Sequence, residues 1–205
     1  MKLYNSSYYV NGLLRCMKLN NKYYILRHGE AVSNIKQITS SWPEKFENPL
    51  TERGIEMIKE SAEKLMDKNI DLIFSSDLLR TKQTAEIVSK ALKIEPEFDK
   101  RLREVNFGIF NSKPITNLDI YFKKEEERIF RNMPKGETYK KVLERIYDFL
   151  KDTDKKYKGR NILIISHECP LWILESKVRG TSLLQYLTEV PRDDRIHKGQ
   201  IKELN

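Results

Sequence analysis

The sequence predicts an α/β fold with a mostly parallel central sheet. Three observations carry that reading. Residues 23–26 and 162–165 are apolar runs without polar alternation, the signature of strands buried on both faces. Segments with apolar residues at helical spacing alternate with such runs. Arg27-His28 and His167 stand where the runs stop, and open α/β sheets hold their ligands at the C-terminal ends of their strands.

Each element follows in order. Residues 1–22 are polar and read as an N-terminal extension to a domain spanning 23–205. They lack the basic start and long apolar core of a signal peptide, and Met17-Lys18-Leu19 reads as an alternative start. Gly29 is expected to let the chain turn where the first strand ends. After a loop at 39–49, Thr51 is placed to N-cap a helix whose inner face carries Ile55, Ile58, Ala62, Leu65 and Met66. Residues 71–75 form a second buried strand. The following helix carries Leu79, Ala85, Val88 and Leu92, with Arg80 in its first turn. Residues 96–101 are predicted as a strand and 102–104 as the start of an irregular region. From 107 to 136 the pattern weakens. This stretch reads as an insertion over the strand ends rather than core, with a charged helix at 121–132. Residues 138–152 form an amphipathic helix with Val142, Ile146, Phe149 and Leu150 inward. The strand at 161–166 ends in His167, and 186–190 and 196–204 are predicted as closing strands.

The chain has 205 residues, enough for one large domain with a sizeable core. Its net charge of +8 comes from 38 basic and 30 acidic residues. Most lysines lie among acids on predicted helices, without a basic stripe interleaved with aromatics, which argues against a nucleic-acid partner. No apolar run approaches the roughly 18 residues of a membrane span. With only Cys16 and Cys169, a disulfide framework is not expected and a reducing cytoplasm fits.

If the strands ending at His28 and His167 are neighbours in a parallel sheet, both His share one crevice, and the second strand delivers Arg80 to the same edge. Two His, two Arg and Asn34 around one concave point suit a dianion, because every charge-assisted bond there is stronger than a neutral one. Any one of these residues alone would be surface decoration.

The segments LRHGEAVSN (26–34), NPLTERG (48–54), FSSDLLRTKQTA (74–85), LREVNFGIF (102–110), GETYKKVLERI (136–146) and IISH (164–167) resemble the histidine phosphatase superfamily. That group includes cofactor-dependent phosphoglycerate mutases and many small phosphatases. The resemblance implies a three-layer α/β/α sandwich. By the same resemblance His28 is the nucleophile that becomes phosphorylated. Arg27, Arg80 and His167 hold the phosphoryl oxygens, Asn34 adds a contact, and Glu104 is the proton donor. It implies a small phosphorylated substrate, no cofactor and no metal. The oligomeric state is open between monomer and homodimer.

The sequence departs from the family in places. Glu168 stands where Gly is usual after the second His and is expected to point away or to pair with an Arg or Lys. Ala31 replaces a Ser or Thr, and Ser112 a Gly. The longer Arg-bearing segment of the mutases is not recognisable, which favours a phosphatase over a phosphoglycerate-type mutase. Two other classes compete. A metallohydrolase would use His28-x-Glu30 and His167-Glu168-Cys169 as ligands, but Arg27 opposes a cation there. A non-catalytic phosphoryl-binding module would be a site disabled by Glu168. Lys113, Lys123, Lys124 and Arg131 are candidates for a second anionic group of the substrate.

Overall fold

The computed structural model describes residues 17–205, so the part of the predicted extension at 1–16 lies outside the described residues. Five strands form one sheet in the order β3-β2-β4-β1-β5: β1 (Lys22–Arg27), β2 (Leu72–Ser75), β3 (Pro96–Phe98), β4 (Asn161–Ser166) and β5 (Ile201–Glu203). The first four are mutually parallel and β5 runs antiparallel to β1. The helices are α1 (Val32–Ile35), α2 (Glu52–Leu65), α3 (Leu79–Leu92), α4 (Thr116–Tyr121), α5 (Tyr139–Lys156), α6 (Glu168–Val178) and α7 (Leu183–Glu189).

The two-residue period of a strand divides the core in two. Tyr23 and Ile25 of β1, with Ile162 and Ile164 of β4, pack with α5, α6 and α7. Tyr24, Leu26, Leu163 and Ile165 point the other way, against α2 and α3. The sheet therefore lies between two helical layers, as the α/β/α expectation requires. β1 and β4 are adjacent, with Arg27 opposite Ser166. Their connections part there, since β1 leads to α2 on one face and β4 to α6 on the other. Such a divergence leaves a crevice at the strand ends.

Thr51 does cap α2, its hydroxyl accepting the Gly54 N–H at 3.0 Å. The role of Gly29 is different from a tight turn. A Cβ there would lie 2.4 Å from the Gly54 carbonyl oxygen, and one on Gly54 would lie 2.0 Å from the Glu30 carbonyl oxygen. The two glycines let the end of β1 press backbone to backbone on the first turn of α2, which fixes the chain around His28.

Several expectations need correction. Met66 is exposed, because α2 gives way to a 3-10 turn at Met66–Lys68. The strand predicted at 96–101 keeps only Pro96–Phe98 before a 3-10 turn at Lys100–Leu102. The helix predicted at 121–132 is instead α4 followed by a 3-10 segment, Glu125–Ile129. Residues 186–190 are not a strand. They belong mostly to α7, which Ser182 caps and which buries Leu183 and Tyr186 at helical spacing. Tyr186 stacks on Trp172 and donates its hydroxyl to Glu175 at 2.6 Å. The closing strand is confined to Ile201–Glu203. The 107–136 region is not merely a cover, since Phe110, Leu118, Phe122, Ile129 and Met133 belong to the core. Residues 17–22 also dock on the domain, through Asn20 and Asn21 on the Asp154 carboxylate.

Candidate active site

The predicted residues converge at the β1–β4 edge. The His28 backbone N–H continues the strand pairing to the Ser166 carbonyl, and Ser76 does the same to Ile165. His28, His167 and Ser76 thus stand side by side on three neighbouring strand ends. The rings of His28 and His167 meet edge-on at 5.2 Å between centroids. Arg27, His28, Asn34, Arg80 and Glu104 line one cleft, with a volume of about 670 Å³ including its open mouth. His167, beside His28, is fully buried.

The hydrogen bonds settle the form of His28. Its Nδ1 is 2.7 Å from the Gly29 carbonyl oxygen, which can only accept, so the proton is on Nδ1. Nε2 then carries the lone pair, and the Arg80 Nε–H donates to it at 3.2 Å. Burial holds the His28 pKa well below the usual 6.5, with Arg80 and then Arg27 acting in the same direction. The ring is therefore neutral, with its lone pair on Nε2 accepting from Arg80. For His167, Nε2 shares a hydrogen bond with Ser76 Oγ at 2.9 Å. The Nδ1 of His167 is buried and has no partner among the described residues. Burial, then Arg80, also lowers the His167 pKa well below 6.5.

Arg80 is buried, which brings its pKa down to about 10. It is held by the Ser40 carbonyl at 3.1 Å and by Glu44 at 3.4 Å. Both partners come from the loop after α1, and the sequence reading assigned neither a role. Asn34 accepts the Ala31 N–H on Oδ1 at 2.9 Å, so only its amide N–H groups remain to offer the cleft. Glu104 accepts the Val105 N–H at 2.9 Å. Burial raises its carboxyl pKa above 4.5 despite the nearby Arg80. Glu168 does pair with an Arg, and that Arg is Arg27, at 2.8 Å.

The far end of the cleft differs from expectation. Lys113, Lys123, Lys124 and Arg131 do not line it, and Arg131 pairs with Glu127 at 2.8 Å. Arg128, Tyr139, Glu125 and Arg192 line it instead. Arg128 is buried and holds two long contacts, Tyr139 Oη at 3.4 Å and Asp119 at 3.3 Å. The sequence signal for it was weak, a single Arg in a charged run. Among the described residues no three His, Cys, Asp or Glu side chains group as metal ligands.

Residues 23–190 match the model of the histidine phosphatase superfamily (branch 1). The chain is 31% identical over 167 residues to the probable phosphoglycerate mutase GpmB of Salmonella arizonae, covering 77% of this chain and 74% of that one. Among solved structures, Bacillus stearothermophilus YhfR superposes with a TM-score of 0.75 at 24% identity, over 88% of this chain and 89% of its own. The alpha-ribazole phosphatase from Shigella flexneri gives 0.73 at 24%, over 88% of each chain. The chain belongs to the histidine phosphatase superfamily.

Proposed function

We propose that the protein is a metal-independent phosphomonoesterase that works through a phosphohistidine on His28 and acts on a small phosphorylated metabolite. The observation that carries this reading is the Nδ1–H bond to Gly29, which puts the lone pair of the cleft-lining His28 on Nε2, where it accepts from Arg80.

On this reading His28 Nε2 attacks phosphorus and the ester P–O bond breaks. The leaving oxygen takes the bond's electron pair and the proton of Glu104. Positive charge developing on the ring is met by the Gly29 carbonyl through Nδ1–H. Arg80 turns its Nε–H from His28 to a phosphoryl oxygen. Arg27, the Asn34 amide and His167, in the tautomer with its proton on Nδ1, supply further fixed donors, the usual means of stabilising charge in phosphoryl transfer. Water then attacks the phosphohistidine, gives its proton to Glu104, and phosphate departs from a neutral His28. Burial favours both ends of this scheme, pushing the His28 pKa down and the Glu104 pKa up.

The second reading is a phosphoglycerate-type mutase. The 31% identity to a relative of that name favours it, as does Arg128, a cleft-lining cation from the region where no mutase-like segment was recognisable. The names of fold neighbours, among them a mycobacterial glucosyl-3-phosphoglycerate phosphatase, lean toward hydrolysis. A panel of phosphorylated metabolites, assayed in EDTA for release of inorganic phosphate and for phosphoryl transfer between phosphoglycerates, separates the readings. Release without transfer is expected. Transfer with little release establishes the mutase, and loss of all activity in EDTA restored by one metal rejects both.

A further inference from the structure

We propose that Glu168 is an internal competitor for the phosphoryl subsite, bound to Arg27 when the site is empty and displaced toward Arg192 when phosphate enters. This rests on the phosphoryl reading of the cleft given above.

The argument begins with the guanidinium of Arg27. Its Nη1 is committed to the Ile196 carbonyl at 3.0 Å. The remaining edge, Nε with Nη2, is the fork that receives two oxygens of a carboxylate or phosphate. That fork is half occupied. Nη2 donates to Glu168 Oε2 at 2.8 Å, while Nε is buried without a partner among the described residues. A phosphoryl group taking both positions has to remove Oε2 from Nη2. The carboxylate has somewhere to go. Its other oxygen lies 3.6 Å from Arg192 Nε, too long for a good hydrogen bond, and the Arg192 side chain is largely exposed and free to follow. Glu168 is the first residue of α6 and lines the cleft beside Arg27. An anion there opposes phosphate by repulsion as well as by occupying its donor.

A ligand whose binding form is a minor population loses affinity in proportion to that population. A partly buried, charge-assisted contact is worth enough to make the tax roughly tenfold. The role that follows is to keep inorganic phosphate, the product, from lingering on the four donor groups of the subsite.

The test is calorimetric titration of inorganic phosphate, at a mildly alkaline pH where it is a dianion, into wild type, Glu168→Gln, Arg192→Gln and the double variant, with thermal melts to confirm folding. Glu168→Gln should bind phosphate about tenfold more tightly. Glu168→Gly should do so too and serves if the Gln variant does not fold. Arg192→Gln should bind more weakly than wild type, yet have little effect once Glu168 is gone, because it acts through the displaced carboxylate. If Glu168 only holds Arg27 in position, its removal weakens or leaves unchanged the binding of phosphate, and the proposal is overturned. An equal effect of Arg192→Gln in both backgrounds overturns the exchange. Failure of every protein to bind phosphate removes the phosphoryl reading itself, a result distinct from equal binding by wild type and variants.

Discussion

Replacing Glu104 by Gln isolates the proton-donor step. The substitution keeps the side chain's volume and an oxygen to accept the Val105 N–H, which lies at 2.9 Å in the native site. Burial raises the Glu104 pKa, so at a pH below that raised value the native group is an uncharged acid and the amide differs from it in little besides the transferable proton. A positioned general acid contributes about 10² to 10⁴ in rate, or about 3 to 5 kcal/mol of barrier. That whole factor should appear in kcat/KM for an alkyl phosphate, whose alkoxide cannot leave unprotonated. For nitrophenyl phosphate the loss should stay within about tenfold, because nitrophenolate leaves readily without the proton. The alternative is that Glu104 works by steadying an arginine. Arg27 pairs with Glu168 and Arg80 with Glu44, while the Glu104 charge also acts on Arg80. Equal losses on the two substrates would refute the donor assignment. If Glu168→Gln shows the leaving-group dependence instead, the acid has been assigned to the wrong carboxylate.

Two further predictions concern stability. His28 and His167 both have pKa values depressed below 6.5 in the fold, so below about that pH the unfolded chain takes up protons that the folded one refuses. Stability should fall as pH drops from 6.5 toward the folded pKa values, by up to about 2.7 kcal/mol per pH unit for the pair. Glu104, raised above 4.5, has the opposite sign, gaining stability as pH falls through its raised pKa, and offsets part of this loss. Denaturant melts across that range should show the slope, and His28→Gln with His167→Gln should remove most of it. Ser112, where the family usually has Gly, sits at φ 70° with its hydroxyl buried and unpartnered among the described residues. Left-handed backbone costs a side chain about 1–2 kcal/mol, and Gly returns about 0.5–1 of that as chain entropy. Ser112→Gly should therefore raise the unfolding free energy by about 0.5–1 kcal/mol, and an unchanged or lower denaturant midpoint contradicts this.

The parts of the molecule that were legible are those where one physical demand acts alone. Ile162–Ile165 must be buried on both faces, and a run of four apolar residues says so. Thr51 must cap a helix, and its place before Glu52 and Gly54 says that too. The residues around His28 combine a strand end, a close glycine contact and fixed charges, so they share one short segment. Elsewhere the deciding partner lies far along the chain. Residues 186–190 carry the strand-favouring Tyr186, Thr188 and Val190, and only Ser182, Glu175 and Trp172 make them helical. The helix Glu168–Val178 buries most of its surface and lacks the polar face that marks a helix in sequence. Arg128 reads as one more solvated cation until Tyr139, which is far from it in pattern, frames it in the cleft. Glu44 and Ser40 reach Arg80 from a loop without periodicity, so no local signal marked them.

The central claim is a covalent bond between phosphorus and Nε2 of His28. Rapid acid-free quenching during turnover of a labelled phosphomonoester, followed by peptide mapping, tests it most directly. The account predicts base-stable, acid-labile phosphate on the peptide containing His28, formed and lost at rates fast enough for turnover. His28→Ala should lack it and lose several orders of magnitude in rate. Turnover with no phosphohistidine, or with the label on another residue and activity largely intact in His28→Ala, contradicts the account.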